Sequence, residues 1–407
     1  MTIHTIFAAP FFMDATTRFI AGAVQLPNVN VSVISQEPAE RLPHDIRQNL
    51  AGHWRVDDAL DTGQLVNAAQ QLERQLGKAK RMIAALEQLQ VPLAVTREQL
   101  GIAGMSADAA LNFRDKARMK TVLREAGVPC AHHALISDSS SAESFAASIG
   151  FPLVVKPPAG AGGKRTFRLD RQSDLADFLH RYPPQPQDPT LYEEFVQGTE
   201  YSFDSVVIDG RPVWHSISRY MPSPLEVLEN SWIQWCVLLP RDISDPFFDP
   251  IRDAAFRGIG ALGLETGLSH MEWFRLANGR IAVSEVGARP PGAQITSLLS
   301  YAHDIDFYRA WPRLMIFGEF DPPPRRYAAG AAYIRGQGRG VVRGIIGLDE
   351  AQRRFGSMVV EAKLPQQGQQ PSDGYEGDGY IIVRHPETAV VEYALQEIVK
   401  IIRVELA

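Results

Sequence analysis

The dipeptide Asn278-Gly279 lies between two strand-like runs, His270-Met271-Glu272-Trp273-Phe274 and Ile281-Ala282-Val283-Ser284-Glu285. Asn-Gly is the strongest short-range signal for a tight antiparallel hairpin, because both residues tolerate the left-handed backbone such a turn needs. A two-residue turn at 278 and 279 would set Glu272 opposite Glu285 on one face, with β-carbons about 4.5–5.5 Å apart. The same register puts Phe274, Leu276, Ile281 and Val283 on that face towards the turn, and Gly287 and Arg289 beyond Glu285. Like charges opposed in this way are destabilising. Three resolutions stay open: a shared proton, a cation between the carboxylates, or two solvated side chains that merely align. An all-oxygen pair without cysteine suits a hard divalent ion such as Mg²⁺ better than zinc. Mg²⁺ is usually held by one or two carboxylates plus substrate phosphates, so the cation reading predicts a nucleotide nearby.

The rest of the chain is compatible with such a site. It has 407 residues, 45% hydrophobic and 22% charged, as in folded proteins of two or three domains. Forty-one Lys and Arg against 47 Asp and Glu leave a formal charge of −6, which argues against nucleic-acid binding through bulk positive charge. Cys130 and Cys236 are too few for a disulfide framework or a cysteine metal site. The run Met1-Thr2-Ile3-His4-Thr5-Ile6-Phe7 has no basic start of the secretory kind, and no stretch approaches the roughly 18–20 apolar residues of a membrane span. The expectation is a soluble, cytoplasmic protein with no membrane contact.

The first hundred residues alternate short apolar runs (Ile6–Ala9, Val31–Ile34, Leu93–Val95) with a helical pattern over Leu65–Leu89, which predicts a parallel α/β unit. A helix through Met119, Val122 and Leu123 should stop at Gly127-Val128-Pro129. Strands are expected at Leu153–Lys156, Thr166–Leu169, Leu191–Val196 and Tyr201–Ile208. The last of these turns at Asp209-Gly210 into Arg211–Ser218, which places His215 opposite Asp204. Changes of texture near residue 112 and at Asp321-Pro322-Pro323-Pro324 suggest segments 1–111, 112–325 and 326–407, with the middle one divided at about 190.

A glycine loop, Pro157 to Arg165, follows the Leu153–Lys156 strand. Gly160, Gly162 and Gly163 let backbone N–H groups approach phosphates, and Lys156, Lys164 and Arg165 supply charge. It is not a P-loop, since Pro158 and Arg165 stand where that motif needs Gly and Ser or Thr. Two other glycine clusters are decoys. Gly258-Ile259-Gly260-Ala261-Leu262-Gly263 ends a helix pattern instead of following a strand, and Gly336-Gln337-Gly338-Arg339-Gly340 reads as a β-turn.

Lys116, Lys156, the glycine loop, the acidic strand Tyr192-Glu193-Glu194-Phe195-Val196-Gln197-Gly198-Thr199-Glu200, and then Glu272 and Glu285 occur in an order that resembles the ATP-grasp superfamily. The run Glu285-Val286-Gly287-Ala288-Arg289-Pro290-Pro291-Gly292 looks like its carboxylate–amine ligases, including bacterial dipeptide ligases. The resemblance implies an α/β, ATP-grasp fold, with a Rossmann-like domain before it and a C-terminal β-rich, lid-like domain. It implies ATP as nucleotide, Mg²⁺ as cation with Mn²⁺ as an alternative, and small-molecule carboxylate and amine substrates; it leaves a homodimer open. By the same resemblance, Lys116 and Lys156 contact phosphates and the loop of Gly160, Gly162, Gly163 and Lys164 folds over them. Glu193 or Glu194, with Phe195 and Val196, reads adenine, and Glu200 takes the ribose. Glu272 and Glu285 hold the metal, and Arg289 neutralises an acylphosphate or a substrate carboxylate. Many relatives have Asn where Gly287 stands, so a second metal ion lacks one side-chain ligand here.

The reaction implied is activation of an acid by ATP as an acylphosphate, followed by attack of an amine. Two roles are open for His270, beside Glu272: acceptor of the amine's proton, or a structural residue. Tyr220, Trp232 and Trp235, with Arg219 nearby, are candidates for an acceptor pocket or for core. The alternatives are a purine-pathway-type ligase activating formate or bicarbonate, and a catalytically silent ATP-binding module.

Overall fold

The computed structural model describes residues 2–160, 165–230, 233–372, 374 and 376–407. The chain begins with a four-stranded parallel sheet in the order β3-β2-β1-β4, formed by β1 (Ile3–Ala8), β2 (Val29–Ser35), β3 (Gly52–Arg55) and β4 (Arg81–Ile83). Its helix Thr62–Leu76 is capped by the Asp61 carboxylate and buries Leu65, Ala68, Ala69 and Leu72, the positions the periodicity singled out. The helical pattern expected over Leu65–Leu89 does not run through. Gly77, at φ +84°, ends the helix, and Arg81–Ile83 leaves it to pair with β1 as an edge strand. Leu93–Val95, expected as a strand, lies inside the helix Gln90–Leu100. Three-residue apolar runs carry no period of their own, and the parallel partner across the sheet decides the outcome.

A second sheet, in the order β5-β8-β6-β7, is antiparallel throughout: β5 (His133–Ile136), β6 (Leu153–Lys156), β7 (Phe167–Leu169) and β8 (Thr190–Glu194). The main sheet has eight strands in the order β13-β12-β9-β10-β11-β14-β18-β17. These are β9 (Thr199–Ile208), β10 (Arg211–Met221), β11 (Trp235–Leu239), β12 (Gly267–Arg275), β13 (Ile281–Gly287), β14 (Ala328–Ile334), β17 (Val359–Lys363) and β18 (Gly379–His385). The segment after residue 325 thus extends this sheet, and it adds a small sheet of β15 (Gly336–Gln337), β16 (Val342–Ile346) and β19 (Arg403–Leu406). Among the described residues no helix is long and apolar enough to cross a membrane. The Gly258–Gly263 cluster ends the helix Asp249–Leu262, with Gly263 as its left-handed cap.

Two bulges set the register where it matters. In the β9–β10 hairpin Asp209-Gly210 does make the turn, but an irregularity between Pro212 and Trp214 shifts the ladder by one. His215 therefore pairs with Ser205, and Asp204 with Ser216, so the expected His215–Asp204 pair does not form. His215 instead stacks on Phe203, ring centroids 5.1 Å apart, on the opposite face. In the β12–β13 hairpin the turn is one residue longer than expected. Leu276 N–H bonds Arg280 O at 2.9 Å around Ala277-Asn278-Gly279, with Gly279 at φ +80°. A bulge at Ser284, between the pairs Trp273–Val283 and Glu272–Glu285, restores the count. Glu272 and Glu285 are opposed as expected, through two one-residue departures that cancel. Ile281 and Val283, expected on the carboxylate face, turn away into the helical core with Trp273.

Candidate active site

The open face of the main sheet carries Glu200, Ser202 and Asp204 from β9, His270, Glu272 and Phe274 from β12, and Glu285 and Gly287 from β13. Their register is Glu200–Phe274, Ser202–Glu272–Glu285 and Asp204–His270–Gly287. A cleft of about 200 Å³ opens over this face. Lys116, Lys156, Gly160, Glu193, Glu194, Phe195, Val196, Glu200, His270, Glu272, Glu285 and Arg289 all line it. These residues given roles from the sequence meet in this one cleft, whereas Arg165 and Arg219 do not line it; Gly162, Gly163, Lys164 and the pocket candidate Trp232 lie outside the described residues.

The helix Lys116–Glu125, capped by Asp115, runs along the outer edge of β13. Lys116 Nζ donates to Glu285 Oε1 at 2.6 Å and to Gly160 O at 3.0 Å. An ammonium has three N–H groups, so one is left for a phosphate oxygen. One turn later Lys120, fully buried, donates to Ser284 O at 2.9 Å and lies 3.4 Å from Glu193. Burial lowers the Lys120 pKa, against the pull of Glu193. Lys156, from β6, sits 3.0 Å from the other Glu193 oxygen; burial opposes its charge, but Glu193 and Glu285 outweigh burial and raise its pKa.

The two hinge glutamates separate cleanly. Glu193 turns inward onto both lysines, which hold its carboxyl below the usual range in spite of burial. The Glu194 side chain instead accepts from His132 N–H at 3.3 Å. Phe195 lies under the Arg168 guanidinium, 4.4 Å from the ring centre. Burial, and then the Glu272 charge, push the Glu200 carboxyl well above its usual range.

His270 is buried between two acids: Nδ1–H donates to Asp204 Oδ1 at 2.7 Å, and Nε2 lies 3.7 Å from Glu272 and 3.4 Å from Tyr220 Oη. Burial alone would lower its pKa, but Asp204, then Glu272, raise it to about 9. As a cation with both nitrogens facing acceptors it has no lone pair for an amine's proton, which favours the structural reading. Arg289 reaches Glu87 Oε2 at 3.2 Å, and Glu87 Oε1 accepts from Arg114 at 2.7 Å. Tyr220 and Trp235 line the cleft, whereas Arg219 pairs with Glu392 at 3.0 Å and does not. Cys236 is buried, its thiol pushed up to about 12, and Cys130 lies against the Lys120 carbonyl.

Sequence reasoning missed Lys120, Glu87 and Arg114. Lys116 and Lys120 stand four apart, a spacing that puts both on one helix face. Glu87 carries no local signal, because its partner Arg289 is 202 residues away.

An ATP-grasp domain model matches residues 121–298. The chain carries an ATP-grasp domain. It is 24% identical over 300 residues to the L-arginine-specific L-amino acid ligase of Bacillus subtilis, covering 71% of this chain and 70% of that one. It is 23% identical over 254 residues to the carbamoyl phosphate synthase large chain of Thermotoga petrophila, but spans only 22% of that protein. Among solved structures, the L-amino acid ligase from Bacillus licheniformis superposes with a TM-score of 0.80 at 18% identity, over 100% of this chain and 99% of that one. The N5-carboxyaminoimidazole ribonucleotide synthetase from Thermotoga maritima gives 0.71 at 18% identity, over the full length of both. These likenesses confirm the fold expected from the order of motifs.

The donor set fits the cofactors. Glu272 and Glu285 offer oxygen only, and among the described residues no group of three or more His, Cys, Asp or Glu is arranged to hold a metal. Two carboxylates without a third protein ligand suit Mg²⁺, which keeps waters and phosphate oxygens in its shell.

Proposed function

We propose that this protein is an ATP-grasp ligase that joins an amino acid or related small acid to an amine, forming an amide or peptide bond. The observation that carries the reading is the opposed pair Glu272–Glu285 facing a cleft whose walls hold Lys116 and Lys156. The acid's carboxylate oxygen attacks the γ-phosphorus, and ADP leaves with the bridging oxygen. The amine then attacks the acyl carbon, phosphate departs with its electron pair, and one proton is released. Mg²⁺, when bound, neutralises charge on the phosphates. The protein's task is placement and charge complementarity. Lys116 and Lys156 hold phosphate oxygens beside Gly160; Gly162, Gly163 and Lys164, assigned to the same phosphates, lie outside the described residues. Glu193, Phe195 and Val196 line the base, and Glu200 faces the ribose. Arg289, oriented by Glu87, neutralises the acylphosphate or the substrate carboxylate. His270 holds Glu272 in place.

The test is phosphate release from Mg²⁺ and ATP with pooled amino acids and small acids, with and without amines, and with formate and bicarbonate as separate arms. Release that needs an acid and rises with an amine supports the reading. Release with formate or bicarbonate alone supports a purine-type ligase instead, and tight Mg²⁺–ADP binding without release from any pool supports a silent module.

A further inference from the structure

β13 is an edge strand, so its outward N–H and C=O groups have no neighbouring strand to bond. The Lys116–Glu125 helix and the segment that follows supply the missing partners. Val283 N–H bonds Pro129 O at 2.7 Å, Lys120 Nζ bonds Ser284 O, Lys116 bonds the Glu285 side chain, and Met119 Sδ lies 3.2 Å from Val286 N. Four consecutive residues of β13 are therefore held from one side. Ser284 is the bulged residue, and without that bulge the longer turn would put Glu285 on the wrong face from Glu272.

Lys120 is the member of this set whose burial most demands explanation. A fully buried ammonium is costly unless its N–H groups find acceptors. It donates to the Ser284 carbonyl at 2.9 Å and is ion-paired with the Glu193 carboxylate at 3.4 Å, and these two belong to different parts of the site. Ser284 is joined directly to Glu285, and Glu193 is the last residue but one of β8, which walls the base end of the cleft.

The geometry points to Lys120 as a positioning residue that couples the two halves of the site: it pins the Ser284 bulge that presents Glu285 to the metal, and it fixes Glu193 beside the nucleotide. Binding at either end orders the same ammonium, so occupation of one end favours the other. The inference rests on the Mg²⁺–nucleotide reading above. Lys120 itself need touch neither ligand.

The coupling is measured as the factor by which Mg²⁺ tightens ADP, from calorimetric Kd values in Mg²⁺ and in EDTA. Lys120→Met removes the charge at similar length. Wild type is expected to show a factor of about ten or more, and Lys120→Met a factor below about three. Leu123→Ala, on the same helix but in the core cluster beneath the sheet, controls for general destabilisation and should keep the wild-type factor. If Lys120→Met does not fold, Lys120→Met with Glu193→Gln removes both buried charges together and is judged by the same factor. A wild-type factor retained when Lys120 is replaced, or lost equally in Leu123→Ala, overturns the coupling. A wild type in which Mg²⁺ has no effect on ADP overturns the underlying metal reading instead, and the coupling falls with it.

Discussion

The opposed glutamates are expected to respond unequally to neutralisation, and the inequality tests the geometry before any substrate is known. In the metal-free protein Glu285 is bonded to Lys116 at 2.6 Å, and that lysine is almost fully buried, while among the described residues Glu272 has only His270, at 3.7 Å, which keeps Asp204 in any case. Removing one partner of a buried ion pair costs about 3–5 kcal/mol. The Glu285 side chain is 24% exposed, and a Gln oxygen still accepts one bond, so about 2 kcal/mol is the better figure for Glu285→Gln. Against this stands relief of the Glu272–Glu285 repulsion. At about 5 Å and an effective dielectric of 20 this is about 3 kcal/mol, reduced by solvent to about 1 kcal/mol. Glu285→Gln should therefore lose about 1 kcal/mol net, and Glu272→Gln should lose nothing or gain slightly.

Thermal melts in EDTA read this order directly, as a drop of about 2–4 °C per kcal/mol for a unit of 150–250 residues. Repeating the melts with Mg²⁺ and ADP reads the second half. A ligand at 100 times its Kd adds about 2.7 kcal/mol, and both variants should forfeit most of the part that depends on Mg²⁺. Both should also abolish acid-dependent phosphate release. If Glu285→Gln melts with wild type in EDTA, the Lys116–Glu285 pair is not formed. If either variant keeps the full Mg²⁺ response, the pair is not the metal site.

Gly287→Asn should fold normally, since a β-carbon there meets nothing closer than Arg289 carbon and nitrogen at 3.6 Å, and it should lower the Mg²⁺ concentration for half-maximal turnover; an unchanged Mg²⁺ curve refutes the role given to that position. Gly198→Ala, at the link between β8 and β9, drives a β-carbon to 2.5 Å from Arg275 O, so a lower melting temperature and weaker ADP binding are expected, and wild-type values of both would show that the link adapts freely. His303, 4% exposed and donating to Pro323 O, has its pKa lowered to about 4 by burial. Its folded pKa lies below the unfolded 6.5, so it contributes stability above pH 6.5 that is lost as pH falls towards 4, up to about 3 kcal/mol. His303→Asn should flatten the acid limb of a melting-temperature profile, and an unchanged limb sinks the assignment. His270 acts with the opposite sign, its contribution fading as pH rises through about 9.

Most of the cleft was legible because its residues sit in local patterns. Glu272 and Glu285 are tied by a hairpin of known turn chemistry, and Lys156, Gly160 and Glu193 lie on or beside strands with clear apolar alternation. What escaped depends on distance in sequence or on a single inserted residue. Nothing near Glu87 announces Arg289, and nothing in the 203–218 stretch announces the bulge that parts His215 from Asp204. The turn at 277–279 and the bulge at Ser284 were both unforeseen, and the pairing they jointly restore was foreseen only because their errors cancel. Ser284 lies at a strand edge, where a bulge costs little in ladder bonds if another group takes the freed carbonyl. That group, Lys120, comes from a helix 164 residues earlier, beyond the reach of any local pattern.

The same distribution of charge gives the basic residues of the glycine loop a part in neutralising the bound substrates. Within the described part of the site seven acidic side chains (Glu87, Glu193, Glu194, Glu200, Asp204, Glu272 and Glu285) meet six basic ones (Lys116, Lys120, Lys156, Arg114, Arg289 and His270), and burial and then the Glu272 charge push the Glu200 carboxyl well above its usual range. With Glu200 counted as neutral, the formal balance is zero. Mg²⁺ with ATP brings two negative charges and an acid substrate a third, so three further positive charges are needed for neutrality. Lys164 and Arg165 are two that the sequence provides in the loop that follows Gly160. Removing Lys164 should therefore weaken the ternary complex with acid more than the binary complex with nucleotide alone, and the ratio of the two affinities separates charge balance from simple phosphate contact. Equal losses in both complexes would assign Lys164 to phosphate contact only.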